Sequence, residues 1–287
     1  MNSNGEPSQT ALTAAAARAA HLIVDDEPLI FRDTLAYELL GDAAETLVHY
    51  HRANGAHPVL ASARAAVVTR ARYTEDRLEE GVGRGVGQYV ILGAGLDSFA
   101  LRSPLAQRVQ IFEVDHPATQ EWKRARFDKA GIAIPPTLTF VPADFESRSP
   151  ADALVAAGFD PTRPALVAWL GVVMYLTRDA VDGTLAMIAG FAPGTEIVLD
   201  YMLPEELRDA RGQSYVEQVM PFAAERGEAW LSFFGPEEMA SLLGAHGFEV
   251  IEHAGQRESV DQSLWRRPDA LAPSRLSVLT HARLTAR

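Results

Sequence analysis

The stretch "YVILGAGLDSFALR", residues 89–102, has the pattern of a β-strand that runs into a glycine turn and then into a helix. Four apolar residues precede Gly93 and Gly95, and glycine lets the backbone turn sharply and approach a ligand closely. Asp97 follows at the start of the helix, where aspartate is also a common N-cap. A turn of this kind at the carboxyl end of a strand is typical of sites that hold a nucleotide-like ligand.

The sequence after this turn alternates between short apolar strands and helical stretches. The strand segments are "YVILG", "VQIFEVD", "LTFVP", "ALVAWLG" and "TEIVLDY". Near-continuous apolar strands that alternate with helices predict a parallel sheet covered by helices on both faces. The end of the chain adds the helix and strand "PEEMASLLGAHGFEVIEH" and a last strand, "RLSVLTHARL".

The domain organisation follows from the same patterns. We expect residues 1–10 to be a disordered tail, residues 11–80 to form a helical cap that stops at Gly81, and residues 81–287 to form the sheet-containing core. The glycine-rich stretch at 81–87 follows a helix and precedes a strand, so it is predicted to be a joint and not a phosphate loop. Residues 203–234 fit no sheet element and are predicted to be a lid insertion over the site.

Composition excludes several classes of function. The chain of 287 residues has no cysteine and a formal net charge of −12, which excludes disulfides and thiolate chemistry and argues against nucleic-acid binding. Its longest apolar run, "ALVAWLGVVMYL", is too short to span a bilayer. The "HYH" at residues 49–51 has no third metal ligand nearby. We therefore expect a cytoplasmic protein without a metal site.

Two acidic residues follow the next two strands. Asp115 ends the second strand, 20 residues after Gly95, and a carboxylate there can accept both hydroxyl hydrogens of a ribose. Asp144 follows the third strand and could accept a hydrogen bond from an adenine amino group. Ser98 stands where a dinucleotide fingerprint has its third glycine. These residues by themselves leave both NAD and S-adenosylmethionine open.

The motifs "VILGAGLDSFALR", "IFEVDHPATQEWK", "FVPADFE" and "WLGVVMYLTRDA" occur in this order, and together they resemble the leucine carboxyl methyltransferase family. The resemblance extends from about residue 11 to the C-terminus, is weakest in the insertion, and is greatest to the bacterial small-molecule O-methyltransferases. It implies a class I methyltransferase fold, which is a Rossmann-like, seven-stranded, mostly parallel sheet. It also implies S-adenosyl-L-methionine as the cofactor.

The resemblance further implies roles for individual residues. Gly93 and Gly95 would face the methionine part of the cofactor, Asp115 would bind the ribose, and Asp144 with Phe145 would hold the adenine. Basic residues ahead of the core would bind the cofactor carboxylate, and the sequence offers Arg70 in "RARYTED" and Arg18 in "AAARAAH" for this contact.

The chain departs from the family pattern after the fourth strand. Members of the family often have a glutamate between a tryptophan and a glycine, where this chain has Leu170 between Trp169 and Gly171. A leucine side chain cannot accept a hydrogen bond, so Asp97 or another group would have to bind the cofactor ammonium.

Methyl transfer needs a general base for some acceptors and none for others. A carboxylate is already ionised at neutral pH and needs no base, whereas a phenol, with a pKa of roughly 10, would benefit from one. The eight histidines offer no clear candidate. Tyr175, which follows the fourth strand, and Tyr201, expected directly after the fifth, are candidate catalytic residues.

The sequence therefore predicts an S-adenosylmethionine-dependent O-methyltransferase of secondary metabolism that acts on a small molecule, above all on a carboxylate to form a methyl ester. One alternative is an NAD-dependent oxidoreductase. Another is a protein with this fold that binds the cofactor without transferring its methyl group.

Overall fold

The computed structural model describes residues 8–143 and 150–286. Its α-helices within these ranges are α1 (Gln9–Val24), α2 (Ala36–Leu40), α3 (Ala44–Asn54), α4 (Pro58–Gly83), α5 (Phe99–Arg102), α6 (Pro117–Ala130), α7 (Ala151–Ala156), α8 (Arg178–Ile188), α9 (Ala210–Glu225) and α10 (Pro236–Ala245). Its strands are β1 (Gln88–Leu92), β2 (Gln110–Asp115), β3 (Leu138–Pro142), β4 (Ala165–Trp169), β5 (Glu196–Met202), β6 (Phe248–Gly255) and β7 (Ser277–Leu284).

The strands form one seven-stranded sheet in the order β3-β2-β1-β4-β5-β7-β6. Strands β1 to β5 are parallel to one another, and β7 runs antiparallel to both β5 and β6. The predicted Rossmann-like, mostly parallel sheet is thereby confirmed. The strand order reverses beside β1, and the carboxyl ends of β1, β2 and β4 lie next to each other there, which is where ligands bind in sheets of this type.

Alternating side chains of β1 enter two separate hydrophobic clusters. Val90 and Leu92 pack into a cluster on one face of the sheet with α8, and Tyr89 and Ile91 pack on the other face with parts of α4, α5 and α6. All five residues of β1 are buried. This two-sided burial explains why the strands read as continuous apolar runs and not as alternating ones.

Helices α1 to α4 form the cap that was expected before the core, with two differences at its ends. The side chain of Ser8 accepts a hydrogen bond from the Ala11 backbone N–H and caps α1, so residues 8–10 belong to the cap and not to a disordered tail. Helix α4 continues past the expected stop at Gly81 to Gly83, because the backbone N–H of Arg84 still bonds to carbonyls in the last turn. Residues 1–7 lie outside the described part of the chain.

A buried polar network holds the cap together. The guanidinium of Arg64, on α4, donates to both carboxylate oxygens of Asp25 at 2.8 Å, and Asp25 also pairs with His21 of α1. Burial alone would raise the pKa of Asp25, but the hydrogen bonds from His21 and Arg64 outweigh it and hold this pKa below its usual value. Asp25 is thus kept ionised, and α1 and α4 are fixed relative to each other.

The predicted lid insertion, residues 203–234, contains α9 and returns to the sheet at its end. The backbone N–H of Leu203 donates to the Leu276 carbonyl, and that of Phe234 donates to the Met202 carbonyl. Between these two anchor points the segment passes over the carboxyl ends of β4 and β5.

None of the helices in the described part of the chain combines the length and the apolar character that a membrane span needs.

Candidate functional site

A cavity of about 480 Å³ lies at the carboxyl ends of β1, β2 and β4. Its floor is the turn after β1 and the segment after β4, its sides come from α1 and α4, and part of the lid segment closes it. Cavities of this size are typical of small-molecule and cofactor sites. This is the position that the sheet topology predicts for a ligand.

The turn after β1 brings the chain close to the segment after β4. Gly93 has a φ of +69°, and a Cβ atom at this position would lie 2.4 Å from Cγ2 of Val172. A side chain at this position would therefore clash, and it would also be strained by the left-handed backbone. The glycine predicted from the sequence is required by a close approach between two loops.

Asp115 closes the same turn from the end of β2. Its Oδ2 accepts a hydrogen bond from the Gly95 backbone N–H at 2.6 Å, and its Oδ1 accepts one from the His116 N–H at 2.6 Å. Burial raises the pKa of the Asp115 carboxyl, while these two backbone donors oppose the rise. The Thr119 hydroxyl donates a further hydrogen bond to this carboxylate, and a lone pair remains with which the group can accept from a ligand while it shapes the turn.

Asp97 lines the cavity beside this carboxylate. Its Oδ1 accepts from the Phe99 backbone N–H at 2.7 Å, a local contact two residues along the chain, while the N-cap position of α5 is occupied by Ser98 and not by Asp97. No donor among the described residues is bonded to its Oδ2, so a second acceptor remains for a ligand. We call Gly93, Gly95, Asp97 and Asp115 the turn end of the cavity.

The two arginines expected to bind a carboxylate differ in availability. Arg70, on α4, lines the cavity and makes one long contact, from Nη1 to Oδ2 of Asp200 at 3.3 Å. Arg18, on α1, also lines the cavity, but its Nε donates to Asp33 at 2.7 Å and its Nη2 to the Leu96 carbonyl at 2.6 Å. Arg70 is therefore the freer of the two for an anionic ligand group.

Asp200 positions Arg70, and the sequence did not single it out for that role. Its Oδ1 accepts from the Gly171 backbone N–H at 2.5 Å, so one buried carboxylate connects the segment after β4 to α4. Leu170 lines the cavity beside this contact. Its apolar side chain cannot accept a hydrogen bond, so the polar groups at this segment are Arg70 and Asp200.

Thr10, Tyr175 and Glu228 also line the cavity and are joined by hydrogen bonds, and we call them the lid end. The Tyr175 hydroxyl lies 3.2 Å from Thr10 Oγ1. Glu228 Oε2 accepts from the Thr10 hydroxyl and from the Thr10 backbone N–H, and its Oε1 accepts from the Ser8 hydroxyl. Burial raises the pKa of the Tyr175 hydroxyl, so this tyrosine is a neutral hydrogen-bonding group at physiological pH.

Thr10 and Glu228 were not predicted from the sequence. They are separated by 218 positions, Thr10 was expected to lie in a disordered tail, and Glu228 lies in a lid segment without a recognisable motif. No periodicity or spacing signal joins them, because their contact exists only once α1 is docked against the lid segment.

Most of the predicted site residues meet in this one cavity. Those that line it are Arg18, Arg70, Gly93, Gly95, Asp97, Asp115, Leu170 and Tyr175. Asp144 and Phe145, predicted to hold an adenine, lie outside the described residues.

Tyr201 is not part of the cavity, and its selection as a catalytic candidate was wrong. Strand β5 continues to Met202 because Tyr201 pairs with Val278 of β7, so this tyrosine lies inside the sheet and not after it. It is fully buried, and its hydroxyl accepts from Thr280 Oγ1 at 3.3 Å.

Within residues 8–143 and 150–286, no group of three or more His, Asp or Glu side chains is arranged to hold a metal ion. His49 and His51 show why the "HYH" pattern forms no site. His51 is buried, where burial and the nearby Arg64 charge lower its pKa to about 4, while His49 is exposed. The two side chains of this pattern therefore face different surroundings.

Comparison with known proteins identifies relatives over most of the chain. The family model described as leucine carboxyl methyltransferase matches residues 11–189. A Bacillus subtilis protein named "Putative S-adenosyl-L-methionine-dependent methyltransferase YktD" is 34% identical over 93% of this chain and 94% of its own length. A Mycolicibacterium smegmatis protein with the same description, without the final name, is 35% identical over 79% of this chain and 80% of its own.

Solved structures share the architecture at lower identity. The crystal structure titled as a putative methyltransferase from Thermobifida fusca superposes with a TM-score of 0.63 at 18% identity, over 99% of this chain and 97% of that one. A DUF574 family protein from Streptomyces avermitilis gives a TM-score of 0.58 at 16% identity, over 94% and 97% of the two chains. At these identities the likeness concerns the fold.

Proposed function

This chain belongs to the leucine carboxyl methyltransferase family and is an S-adenosylmethionine-dependent methyltransferase, and we propose that it methylates an oxygen atom of a small molecule of secondary metabolism. The observation that carries the proposal is the single cavity of about 480 Å³ that joins the turn end to the lid end. One ligand at each end would place a methyl donor and an acceptor side by side. The family assignment removes the NAD-dependent oxidoreductase that the glycine turn alone left open.

The turn end carries the groups that S-adenosylmethionine requires. This cofactor presents a ribose diol, an ammonium and a carboxylate. In our proposal Asp115 accepts from the diol, Asp97 accepts from the ammonium, and Arg70 donates to the carboxylate as a bidentate partner. Because Gly93 and Gly95 have no side chains, the backbone can lie close to the methionine part of the cofactor. Arg18 also lines the cavity and would contribute positive charge, but two of its three nitrogens are already bonded.

Adenine binding is assigned to Asp144 and Phe145 by resemblance alone. Leu170, in place of the glutamate common in the family, would contact the cofactor through its apolar side chain. The buried Asp200 accepts from Arg70 and from the Gly171 backbone N–H, and it thereby holds Arg70 beside the segment after β4.

When bound, the cofactor supplies a methyl group activated by attachment to a positively charged sulfur. The part of the chain is to hold the acceptor oxygen in line with that group and to keep water out, since alignment lowers the barrier of a displacement reaction most. The contacts of Glu228 with the first turn of α1 close the lid end. This closure would exclude water from the acceptor.

We propose a carboxylate as the acceptor, which would yield a methyl ester. A carboxylate is ionised at neutral pH and needs no base, and it would be held by the Tyr175 hydroxyl, which can turn its hydrogen from Thr10 to the acceptor. Among the described residues that line the cavity, His116 is the histidine, and its Nδ1 already accepts from the Ala118 backbone N–H; a carboxylate acceptor has no proton for such a group to remove.

Glu228 favours a second candidate, a hydroxyl acceptor. Its carboxylate already accepts from the Thr10 hydroxyl, so it could receive the proton of an acceptor hydroxyl directly or through Thr10. A carboxylate at this end would also repel an anionic acceptor. The two candidates therefore differ in whether Glu228 must be ionised and able to accept.

The two acceptors can be separated by one experiment. The purified chain is incubated with methyl-labelled S-adenosylmethionine and matched pairs of carboxylic acids and phenols, and each labelled product is treated with mild base. Release of the label as methanol identifies an ester, whereas a stable label identifies an ether. No transfer to either class would contradict the proposed O-methylation and would favour cofactor binding without methyl transfer to these acceptors.

A further inference from the structure

A second cleft, with a volume of about 120 Å³, lies between the cap and the lid segment. It is formed by the start of α4 and the start of α9. Its lining residues are Pro58, Val59, Ser62, Arg211, Ser214 and Tyr215. None of them lines the large cavity, so an acceptor bound at the lid end does not occupy this cleft.

Two polar groups in the cleft have no partner among the described residues. Ser62 is 1% exposed, and its hydroxyl oxygen is buried without a hydrogen bond. Nη1 of Arg211 is likewise buried and unbonded, and no ion pair joins this guanidinium to a described carboxylate. A buried donor that lacks a partner destabilises the fold, and more so when it is charged, so a ligand that accepted from both would relieve this cost.

The surroundings of the cleft favour negative charge. Pro58 and Val59 are in the first turn of α4, and Arg211 is in the first turn of α9. The N-terminal ends of helices of 26 and 16 residues carry partial positive charge. The described residues that line the cleft include no aspartate or glutamate; the carboxylate of Asp209, which caps α9 outside the cleft, accepts from the backbone N–H groups of Gly212 and Arg275 and makes no ion pair with Arg211.

We propose that this cleft is a binding site for a small oxyanion, which accepts hydrogen bonds from the Arg211 guanidinium and the Ser62 hydroxyl. A carboxylate or a phosphate matches the fork of donors on arginine. The volume is several times the roughly 30 Å³ share of one water molecule, so such a group fits. The anion would bridge α4 to α9 and thereby hold the lid segment against the cap.

Tyr215 connects this bridge to the large cavity. It packs in the hydrophobic cluster that also includes Tyr175 and Trp230. Burial raises the pKa of the Tyr215 hydroxyl to about 12, with the nearby Tyr175 adding to the rise. An anion in the cleft would therefore stabilise α9, the helix that carries Tyr215 and packs in the same cluster as Tyr175 of the lid end.

The test measures anion binding without cofactor or acceptor, so it does not depend on the proposed function. Inorganic phosphate and sodium acetate are titrated separately into the full chain at constant ionic strength, and the thermal midpoint and the binding heat are recorded. We expect a saturable rise in midpoint with at least one of the two probes. Phosphate alone would indicate a tetrahedral anion, and acetate a carboxylate.

Arg211→Met should weaken the anion affinity by about tenfold or more, as expected for the loss of hydrogen bonds to a charged group. Arg226→Met is the matched control, because it removes the same charge at the other end of the same helix, where the residue is exposed. Ser62→Ala removes only the hydroxyl and should weaken binding by a few-fold, which keeps the proposal testable if Arg211→Met does not fold. The proposal would be overturned if the wild type, Ser62→Ala and Arg211→Met all responded equally to the anion. It would also be overturned if neither probe gave a saturable response.

Discussion

The turn end and the lid end of the large cavity are built in different ways. At the turn end, the key contact joins Gly95 to Asp115, which are 20 positions apart. At the lid end, Thr10 contacts Glu228 and Tyr175 across 218 and 165 positions. The first set is determined by one strand-turn-helix unit and the next strand, whereas the second requires the cap and the lid segment to be docked first.

This difference indicates which residues of the ligand site can be replaced by other residue types. The turn end depends on backbone donors, a left-handed turn and carboxylates at strand ends, so few residue types are compatible with it. The lid end depends on side-chain hydroxyls and one carboxylate, which many other residues could replace. We therefore expect substitutions at the turn end to change cofactor binding, and substitutions at the lid end to change acceptor preference.

The largest effect is expected for Asp115→Ala. It removes both acceptor oxygens proposed for the ribose diol, and the loss of hydrogen bonds to a charged group should weaken S-adenosylhomocysteine binding by about 10- to 150-fold. Calorimetric titration measures this change. Asp128→Ala, an exposed acid on α6, is the control and should leave the affinity unchanged. Equal affinity in both variants would contradict the ribose role.

Gly93→Ala should be the next most damaging change. The added Cβ would approach Val172 Cγ2 to 2.4 Å, at a φ of +69°, and the left-handed conformation alone costs a non-glycine residue about 1–2 kcal/mol. Chemical denaturation should show at least this loss of unfolding free energy, and cofactor binding should weaken with it.

Gly83→Ala provides the opposite control. Gly83 ends α4 with no atom within 4 Å of its added Cβ, so alanine should be neutral or should stabilise the chain by up to about 0.5–1 kcal/mol. If both variants lost stability equally, the close approach at Gly93 would not be the cause.

At the lid end, Tyr175→Phe should have a moderate effect confined to the acceptor. The loss of one hydroxyl contact, worth about 0.5–1.5 kcal/mol, should reduce kcat/KM by about two- to twelvefold, while cofactor affinity stays the same. Tyr201→Phe is the control, since its hydroxyl bonds to Thr280 inside the sheet. A larger loss of kcat/KM in Tyr201→Phe than in Tyr175→Phe would contradict the placement of the acceptor.

Glu228→Gln should have the smallest effect if the acceptor is a carboxylate. The variant keeps the shape of the side chain and can still accept through its amide oxygen, so kcat should change by less than about threefold. A hydroxyl acceptor that relies on Glu228 as a base should instead lose about 10²-fold or more. Steady-state rates with the acceptor identified by the labelling experiment decide between these outcomes.

The sequence predicted the sheet better than the boundaries around it. The apolar runs at β1 to β5 were recognisable because both faces of these strands are buried. The end of β5 could not be read in the same way. Tyr201 is the last residue of the apolar run, and only its pairing with β7 places it inside the sheet; that pairing partner lies 77 positions further along the chain. Helix α4 likewise passes Gly81, because a glycine permits a helix stop without requiring one.

The sequence by itself determined the turn end: two glycines after a strand, an aspartate at a helix start and an aspartate at the end of the next strand. These residues are constrained locally by backbone conformation and hydrogen bonding, so their pattern is visible in one dimension. Only the tertiary structure decided which arginine is free, because the contacts of Arg18 with Asp33 and Leu96 arise when α1 docks. The same docking brings Thr10 to Glu228. Side chains that meet through the packing of distant segments leave no periodic signal in the sequence, and the lid end, where we propose that the acceptor binds, is made of such side chains.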